Sequence, residues 1–384
     1  MNFVNKLTDN LYIKRTCPQC IQEFYPGDCD IVSTTNPGQV LEYAPKGWRQ
    51  QQQSRISPKR IDRKHVLQLA CRKCPHCGYL LPPNIELVEN LNIAIIGDTF
   101  SGKSHYMAAL IHQLEQGELQ KADSFARFVC LTQEVENEYR KDVINPLFEN
   151  KQSPPPTQQA IDVNRPPLIY ELIMTPSLQH PARRVNLILY DASGEDLAIN
   201  QRMVTFSRYV LNASAIIFLA DPSSMPAIYN ALPAFLQKRY ITGRKSSTVL
   251  SSVVQLIERY RGYDAGARLT SMPVAITLAK SDLLKNLTTV QHQFSFHTKP
   301  TYNGTINLQE INVIDREVRQ LLDDFGERPL LQATKNFSRV KFFATSATGF
   351  APNDKGVYPK IEPCRCLDPI LWILYQLDIF HVPV

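Results

Sequence analysis

The sequence predicts an α/β fold with a mostly parallel sheet, preceded by a small cysteine-bearing module. Three observations carry this reading. From residue 91 onward, short apolar runs alternate with helix-like stretches, the pattern of a parallel sheet covered by helices. A glycine-rich loop joins one such run to a helix, and two near-identical cysteine pairs precede residue 80.

Composition agrees. The chain has 384 residues, 43% hydrophobic and 20% charged, enough for a sizeable core. At roughly 100–200 residues per domain, two or three domains are expected. The character of the sequence changes at 86–90, so residues 1–85 read as the cysteine module and residues 91–384 as the α/β domain. The net charge of +6 lies wholly in the first segment, with twelve Lys/Arg against six Asp/Glu; the remainder holds thirty of each. A basic module suits an acidic protein or nucleic acid, and a solvated loop equally. The start, Met1–Asn10, is polar, and no apolar run reaches the ~18 residues of a membrane span. Ile370–Phe380 is apolar but too short. No membrane association and a reducing cytoplasm are expected, which favours thiolates over disulfides.

In chain order, the strand candidates are Leu91–Ile96, Phe125–Leu131, Leu168–Met174, Val185–Tyr190, Ala215–Leu219, Val274–Leu278 and Val340–Ala344. The helix candidates are Gly102–Gln116, Gln133–Leu147, Asp196–Leu211, Ser246–Arg261, Leu308–Phe325 and Asp368–Leu377. The last is expected to begin with Asp368 as N-cap and Pro369 at the first helical position. Lys151–Pro167, with five prolines, reads as a loop, and Lys285–Thr305 as an insertion.

The strongest motif is Gly97-Asp98-Thr99-Phe100-Ser101-Gly102-Lys103-Ser104, which fits G-x-x-x-x-G-K-[ST] between a strand and a helix candidate. Gly97 and Gly102 let the backbone turn so that N–H groups, with those of Asp98 and Ser101, face phosphates. The helix that follows presents its positive end. Lys103 would set an ammonium between the β- and γ-phosphates, and the Ser104 hydroxyl would bind Mg²⁺.

Three further motifs bear on the base. Asp191-Ala-Ser-Gly194-Glu195 follows a strand and resembles the D-x-x-G switch of Ras-like GTPases. There Asp191 would hold a water on Mg²⁺ and Gly194 would offer its N–H to the γ-phosphate. Ala279-Lys280-Ser281-Asp282 resembles the N-K-x-D base reader, with Ala279 where Asn is usual. Asp282 would accept two hydrogen bonds from guanine, which adenine cannot supply; Lys280 would lie along the base. A strand-end Lys/Asp pair would look the same. Thr345-Ser346-Ala347 resembles the motif whose backbone contacts guanine O6. The switch threonine, a Mg²⁺ ligand, is assigned to Thr157, with Thr132 and Thr175 as rivals. Glu195 stands where a water-orienting Gln is common, so hydrolysis is expected to be slow until a partner adds an arginine.

Cys17-Pro-Gln-Cys20 and Cys74-Pro-His-Cys77 are two C-P-x-C knuckles, which together complete a tetrahedral, closed, structural Zn²⁺ site. The 53 residues between them must loop out as an insertion. Cys71 and His76 are alternative ligands; Cys29 and Cys130 read as free thiols, and Cys364 and Cys366 as surface or core cysteines rather than a second metal pair.

Taken together these motifs resemble a TRAFAC-class P-loop GTPase. With the early knuckles, Ile93-Ala-Ile-Ile-Gly97, Ser101–Leu110 and Pro155-Pro-Thr157, they are similar to the bacterial double-GTPase family of conflict and immune-like systems. The resemblance implies a Ras-like domain, GTP/GDP with Mg²⁺ and Zn²⁺ as cofactors, and a nucleotide-controlled switch. It also implies protein partners: a second GTPase, an effector or an activator. Two other functions fit parts of the sequence: a P-loop ATPase, and a nucleic-acid-binding adaptor acting through the basic module.

Overall fold

The computed structural model describes residues 9–45, 59–62, 64–65, 69–154, 166–176, 182–190, 209–238, 245–261, 269–287 and 294–380. Strands β1 (Arg15–Thr16) and β2 (Glu23–Phe24) form a hairpin. A small antiparallel sheet in the order β4-β3-β5 follows, from β3 (Ile31–Ser33), β4 (Val40–Glu42) and β5 (Ala70–Arg72). The insertion between the knuckles therefore contributes strands of its own, too short for sequence periodicity to reveal.

The main sheet has seven strands in the order β12-β11-β10-β6-β9-β8-β7. They are β6 (Glu89–Gly97), β7 (Ala126–Cys130), β8 (Leu168–Met174), β9 (Arg183–Leu189), β10 (Ala215–Ala220), β11 (Leu269–Leu278) and β12 (Phe337–Ala344). β9, β6, β10, β11 and β12 run parallel; β7 and β8 are antiparallel. β10 is buried at every residue, as expected for a central strand covered on both faces.

Side-chain alternation divides the core in two. Ile93, Ile95, Ile217 and Leu219 face one cluster, filled by Tyr106, Met107 and Leu110 of helix α1 (Lys103–Glu115) and by Trp372. Ala94, Ile96, Ile216 and Phe218 face the other, covered by two later helices. The predicted helix Gln133–Leu147 is one helical run with a wider middle. Helix α2 (Gln133–Tyr139) passes into an i→i+5 turn at Arg140–Ile144 and returns to α-helix at Asn145–Phe148, the widened turn lying just before Pro146, which lacks an N–H for the regular ladder. α3 (Ser246–Arg261) turns Val249, Val253 and Ile257 inward. α4 (Leu308–Asp324) turns in Ile314, Val318 and Leu321, with Asn307 Oδ1 accepting from Glu310 N at 3.0 Å as its cap. In α5 (Asp368–Gln376) the cap position is Leu367, not Asp368. Asp368 is the first helical residue instead, buried, accepting from Arg365 Nη1 at 2.9 Å and Tyr302 OH at 2.7 Å. A buried guanidinium outcompetes a backbone N–H for that carboxylate. Of the predicted helix Asp196–Leu211, residues up to 208 lie outside the described set.

Candidate functional site

The five parallel strands deliver their C-terminal ends to one edge, where ligands of such sheets bind. Gly97 ends β6 opposite Leu219 of β10, while Ala220, Leu278 and Ala344 form one row across β10, β11 and β12. Beyond that row lie the phosphate loop, Asp221, Ala279-Lys280 and Thr345-Ser346.

At the loop, Gly97 is required by close approach: a Cβ there would stand 2.5 Å from Ser101 Oγ and 2.8 Å from Leu219 O. Gly102 precedes α1 with φ 89°, a left-handed value that sharpens the turn into the helix. Lys103 Nζ donates to the carbonyls of Gly97 at 2.9 Å and Asp98 at 2.7 Å, lying across the loop. Ser101 Oγ is buried without a hydrogen-bond partner among the described residues. Ser104 is the second residue of α1, its carbonyl accepting from Tyr139 OH at 3.3 Å.

β9 lies directly beside β6, so its C-terminal end meets the same edge. Thr157, Asp191, Gly194 and Glu195 lie outside the described residues. Of the rival threonines, Thr132 Oγ1 accepts from Ile169 N at 2.9 Å rather than from an N–H of α2, and Thr175 Oγ1 donates to Phe125 O at 3.1 Å; both are occupied at the far antiparallel strands.

The residues expected to read the base come together. Ser346 Oγ donates to Asp282 Oδ1 at 2.6 Å and accepts from Gly349 N at 2.8 Å. Asp282 is buried, and burial raises its pKa above the ordinary carboxylate value, against the stabilising hydrogen bond from Ser346. Ala279 offers no hydrogen-bonding side chain to brace this loop, and backbone does so instead. Ala279 N donates to Ala220 O at 2.9 Å, and Ser281 N to Thr345 O at 3.0 Å. His297, from the predicted insertion, adds a contact to Ser281 O at 3.1 Å. Ala347 is half-buried at the edge of the core.

Lys280 brings in a residue absent from the sequence expectations. Its Nζ donates to Asp221 Oδ2 at 2.7 Å, and its Cε would meet a Cβ at Gly102 at 3.9 Å. Asp221 is buried at the end of β10, with Oδ1 accepting from Ser223 N at 2.9 Å and Ser223 Oγ at 2.7 Å. The carboxylate thus holds the Lys280 side chain with its stem beside Gly102 of the phosphate loop. A polar residue directly after an all-apolar strand, Ala220-Asp221, was the available signal.

The second centre is the cysteine cluster. The sulfurs of Cys17, Cys20, Cys74 and Cys77 lie within 4.8 Å of one another, and among the described residues no other group of three or more metal-competent side chains does so. Both knuckles fold alike. Cys17 N donates to Gln22 O and Ile21 N donates back to Cys17 O; Cys74 N donates to Tyr79 O and Gly78 N donates back to Cys74 O. Cys17–Cys77 and Cys20–Cys74 sulfurs are 3.8 and 3.9 Å apart. A tetrahedron with Zn–S of about 2.3 Å has edges of about 3.8 Å, so the donor set fits zinc. Hydrogen bonding from Cys17 pulls the Cys74 thiol down to about 5, against burial, and raises Cys17 correspondingly. Cys71 is buried on β5, outside the cluster, and His76 Nε2 contacts Glu23 O at 3.1 Å. Cys366 is buried, donating to Ser346 O at 3.3 Å, and Cys364 contacts Thr298 O at 3.5 Å. Beneath the cluster, buried Arg72 bonds Glu86 Oε1 at 2.6 Å, Cys29 O at 3.0 Å and Lys59 O at 2.6 Å. The module abuts the main sheet: Ile21 joins the apolar cluster of Ala94 and Ile96, and Asn90 Nδ2 donates to Thr16 O at 3.0 Å.

Fold and loop place the chain among P-loop proteins of the GTPase type. It matches the model of the Double-GTPase 2 family over residues 92–334 and belongs to that family. It is 26% identical over 322 residues, 78% of each chain, to a Mycolicibacterium smegmatis protein named "Putative ESX-1 scaffolding and assembly protein SaeC". Among solved structures it is similar to the signal recognition particle receptor SRb-GTP/SRX complex of Chaetomium thermophilum. The identity there is 14%, covering 69% of this chain and 94% of that one, with a TM-score of 0.28. It is also similar to the GTP-bound Ski7 GTPase-like domain of S. cerevisiae, at 13% identity, 76% and 51% coverage and a TM-score of 0.29. No helix among the described residues is long and apolar enough to cross a membrane.

Proposed function

We propose that this protein is a guanine-nucleotide switch that hydrolyses GTP, with residues 91–384 as the nucleotide domain and residues 1–85 as a structural zinc module. The observation that supports it best is the buried Asp282 carboxylate held by Ser346 on the same sheet edge as the phosphate loop. A carboxylate kept there is matched to the paired N–H donors of guanine and leaves an unpaired charge against adenine.

In this reading the backbone of Gly97–Ser104 and the Lys103 ammonium bind the phosphates, Lys280 covers the base and Ser346-Ala347 closes the site. Ser104, Thr157 and Asp191 would hold Mg²⁺, which supplies charge neutralisation at the β- and γ-phosphates when bound. Gly194 would sense the γ-phosphate and Glu195 would orient water, with hydrolysis slow until a partner contributes a cation. Cys17, Cys20, Cys74 and Cys77 would hold Zn²⁺, which stabilises a module too small to be held by its own core. The relative's name, as a scaffolding and assembly protein, supports protein partners for this chain also. A second GTPase, an effector or an activator fits this scheme, in the cytoplasm, and a role in a bacterial conflict system is one such setting.

Asp282→Asn tests the base assignment. Guanine preference over adenine is expected to disappear while unfolding stability is kept, because Asn can still accept from Ser346. A base preference unchanged by the substitution would mean that Asp282 does not read the base, as the P-loop ATPase reading expects. Salt-sensitive binding of DNA or RNA, with no nucleotide bound, would favour the adaptor reading.

A further inference from the structure

The segment between Ser346 and Cys364 is folded far more tightly than a connection from β12 to α5 requires. At its root, Ser346 and Cys364 exchange backbone hydrogen bonds at 3.0 and 2.8 Å, and Ser346 is the residue that holds Asp282. Along its stem, Glu362 N donates to Thr348 O at 2.8 Å. At its tip, Asn353 N bonds Val357 O at 2.8 Å. The Asn353 side chain accepts from Lys355 N at 2.9 Å and Val357 N at 3.0 Å. Such a side-chain-organised turn fixes the tip without help from the rest of the protein.

Past the tip, Tyr358 returns to the phosphate side of the molecule. Its ring is buried in the core cluster that contains Tyr106 and Met107 of α1. Its hydroxyl lies 3.2 Å from His105 Nε2, and His105 directly follows Ser104. The same hydroxyl lies 3.1 Å from Ser153 Oγ. The backbone is fastened there too: Tyr358 N donates to Lys151 O at 2.8 Å, Ser153 N to Gly356 O at 3.2 Å, and Gln152 bridges Val357. One end of the arm thus grips the base reader, and the other grips the first turn of α1.

We propose that residues 346–364 are a strut that sets the base reader against the phosphate loop, with Tyr358 as its positioning residue. The inference rests on the guanine-nucleotide reading of the site. β6 carries the phosphate loop and β11 and β12 carry the base reader, with β10 between them. The sheet alone fixes this spacing through strand pairing. The strut is a second connection, and it ends on side-chain hydrogen bonds. A phenylalanine would fill the same apolar volume, so the hydroxyl serves position rather than packing. A nucleotide spans both halves of the site and is sensitive to their separation, whereas a ligand that touches only the phosphate loop is not.

The test is to measure GDP, ADP and inorganic tripolyphosphate binding, with Mg²⁺, on the full chain and on Tyr358→Phe. GDP affinity is expected to fall about three- to tenfold, the worth of one neutral hydrogen bond, with tripolyphosphate affinity unchanged. Ser153→Ala should act in the same direction. Combined with Tyr358→Phe it should add less than its own effect, since the two share one contact. Ser153→Ala also carries the test alone if thermal unfolding shows Tyr358→Phe to be misfolded. Unchanged GDP affinity, or equal losses for GDP and tripolyphosphate, would overturn the strut. If the unaltered chain shows no preference for GDP over ADP, the guanine reading itself fails, and the strut with it.

Discussion

Asp221→Asn separates the role of a buried ion pair from that of the fold around it. Asp221 Oδ2 and Lys280 Nζ are 2.7 Å apart, with side-chain exposures of 5% and 21%. At that distance and an effective dielectric near 20, the attraction is about 6 kcal/mol. Lys280 can recover part of its hydration because it is not fully enclosed, so the net loss is smaller, about 2–4 kcal/mol. Asparagine keeps an oxygen for Ser223 N and changes little in volume, so the variant removes charge rather than packing. Urea unfolding should show that loss with an unchanged slope. Because Lys280 also lies over Gly102, guanine nucleotide affinity should fall about tenfold, a magnitude typical of a lost charged hydrogen bond. A stability change under about 0.5 kcal/mol with full nucleotide affinity would refute the reasoning, since exposed pairs behave that way.

Glu86→Gln leaves the buried Arg72 guanidinium without its carboxylate and should cost about 3 kcal/mol; an unchanged urea midpoint would show that the carbonyls of Cys29 and Lys59 suffice. Cys77→Ser, or a strong chelator, should release one zinc per chain and expose residues 9–45 to protease, because three ligands no longer close the site. Release without added cleavage would mean that the module's small sheet holds without metal. The pKa of Asp282 is raised, chiefly by burial, so guanine affinity should decline on acidification at a higher pH than for an exposed carboxylate. The sign for stability is opposite: ionised Asp282 costs the fold most above its native pKa, and that cost is absent below its unfolded one. A pH titration of GDP affinity that is flat down to the ordinary carboxylate range would contradict this.

Much of the sheet was legible because a buried parallel strand is a continuous apolar run, as in Ala215–Leu219, or one broken only by a β-branched threonine, as in Val274–Leu278. The phosphate loop was legible because glycine and lysine spacing encodes it locally. What escaped were relations between distant residues. Asp221 acquires meaning only when β10 and β11 align it with Lys280. Arg72 and Glu86 are fourteen positions apart, and only folding brings them together and buries both. Asp368 carried an N-cap signal that Arg365 and Tyr302 redirected. The short strands Ile31–Ser33, Val40–Glu42 and Ala70–Arg72 lack the length for a period to register. Among the described residues of Lys285–Thr305, which has neither helix nor strand period, a short turn at Ser295–His297 places His297 against the Ser281 carbonyl.

The most direct measurement of the central claim is calorimetric titration of the full chain, with Mg²⁺, against GTP, GDP and ATP, repeated on Lys103→Ala. Guanine nucleotides should bind far more tightly than ATP, and the binding should disappear when the ammonium across the phosphate loop is removed. ATP binding equal to or tighter than GTP binding would contradict the account.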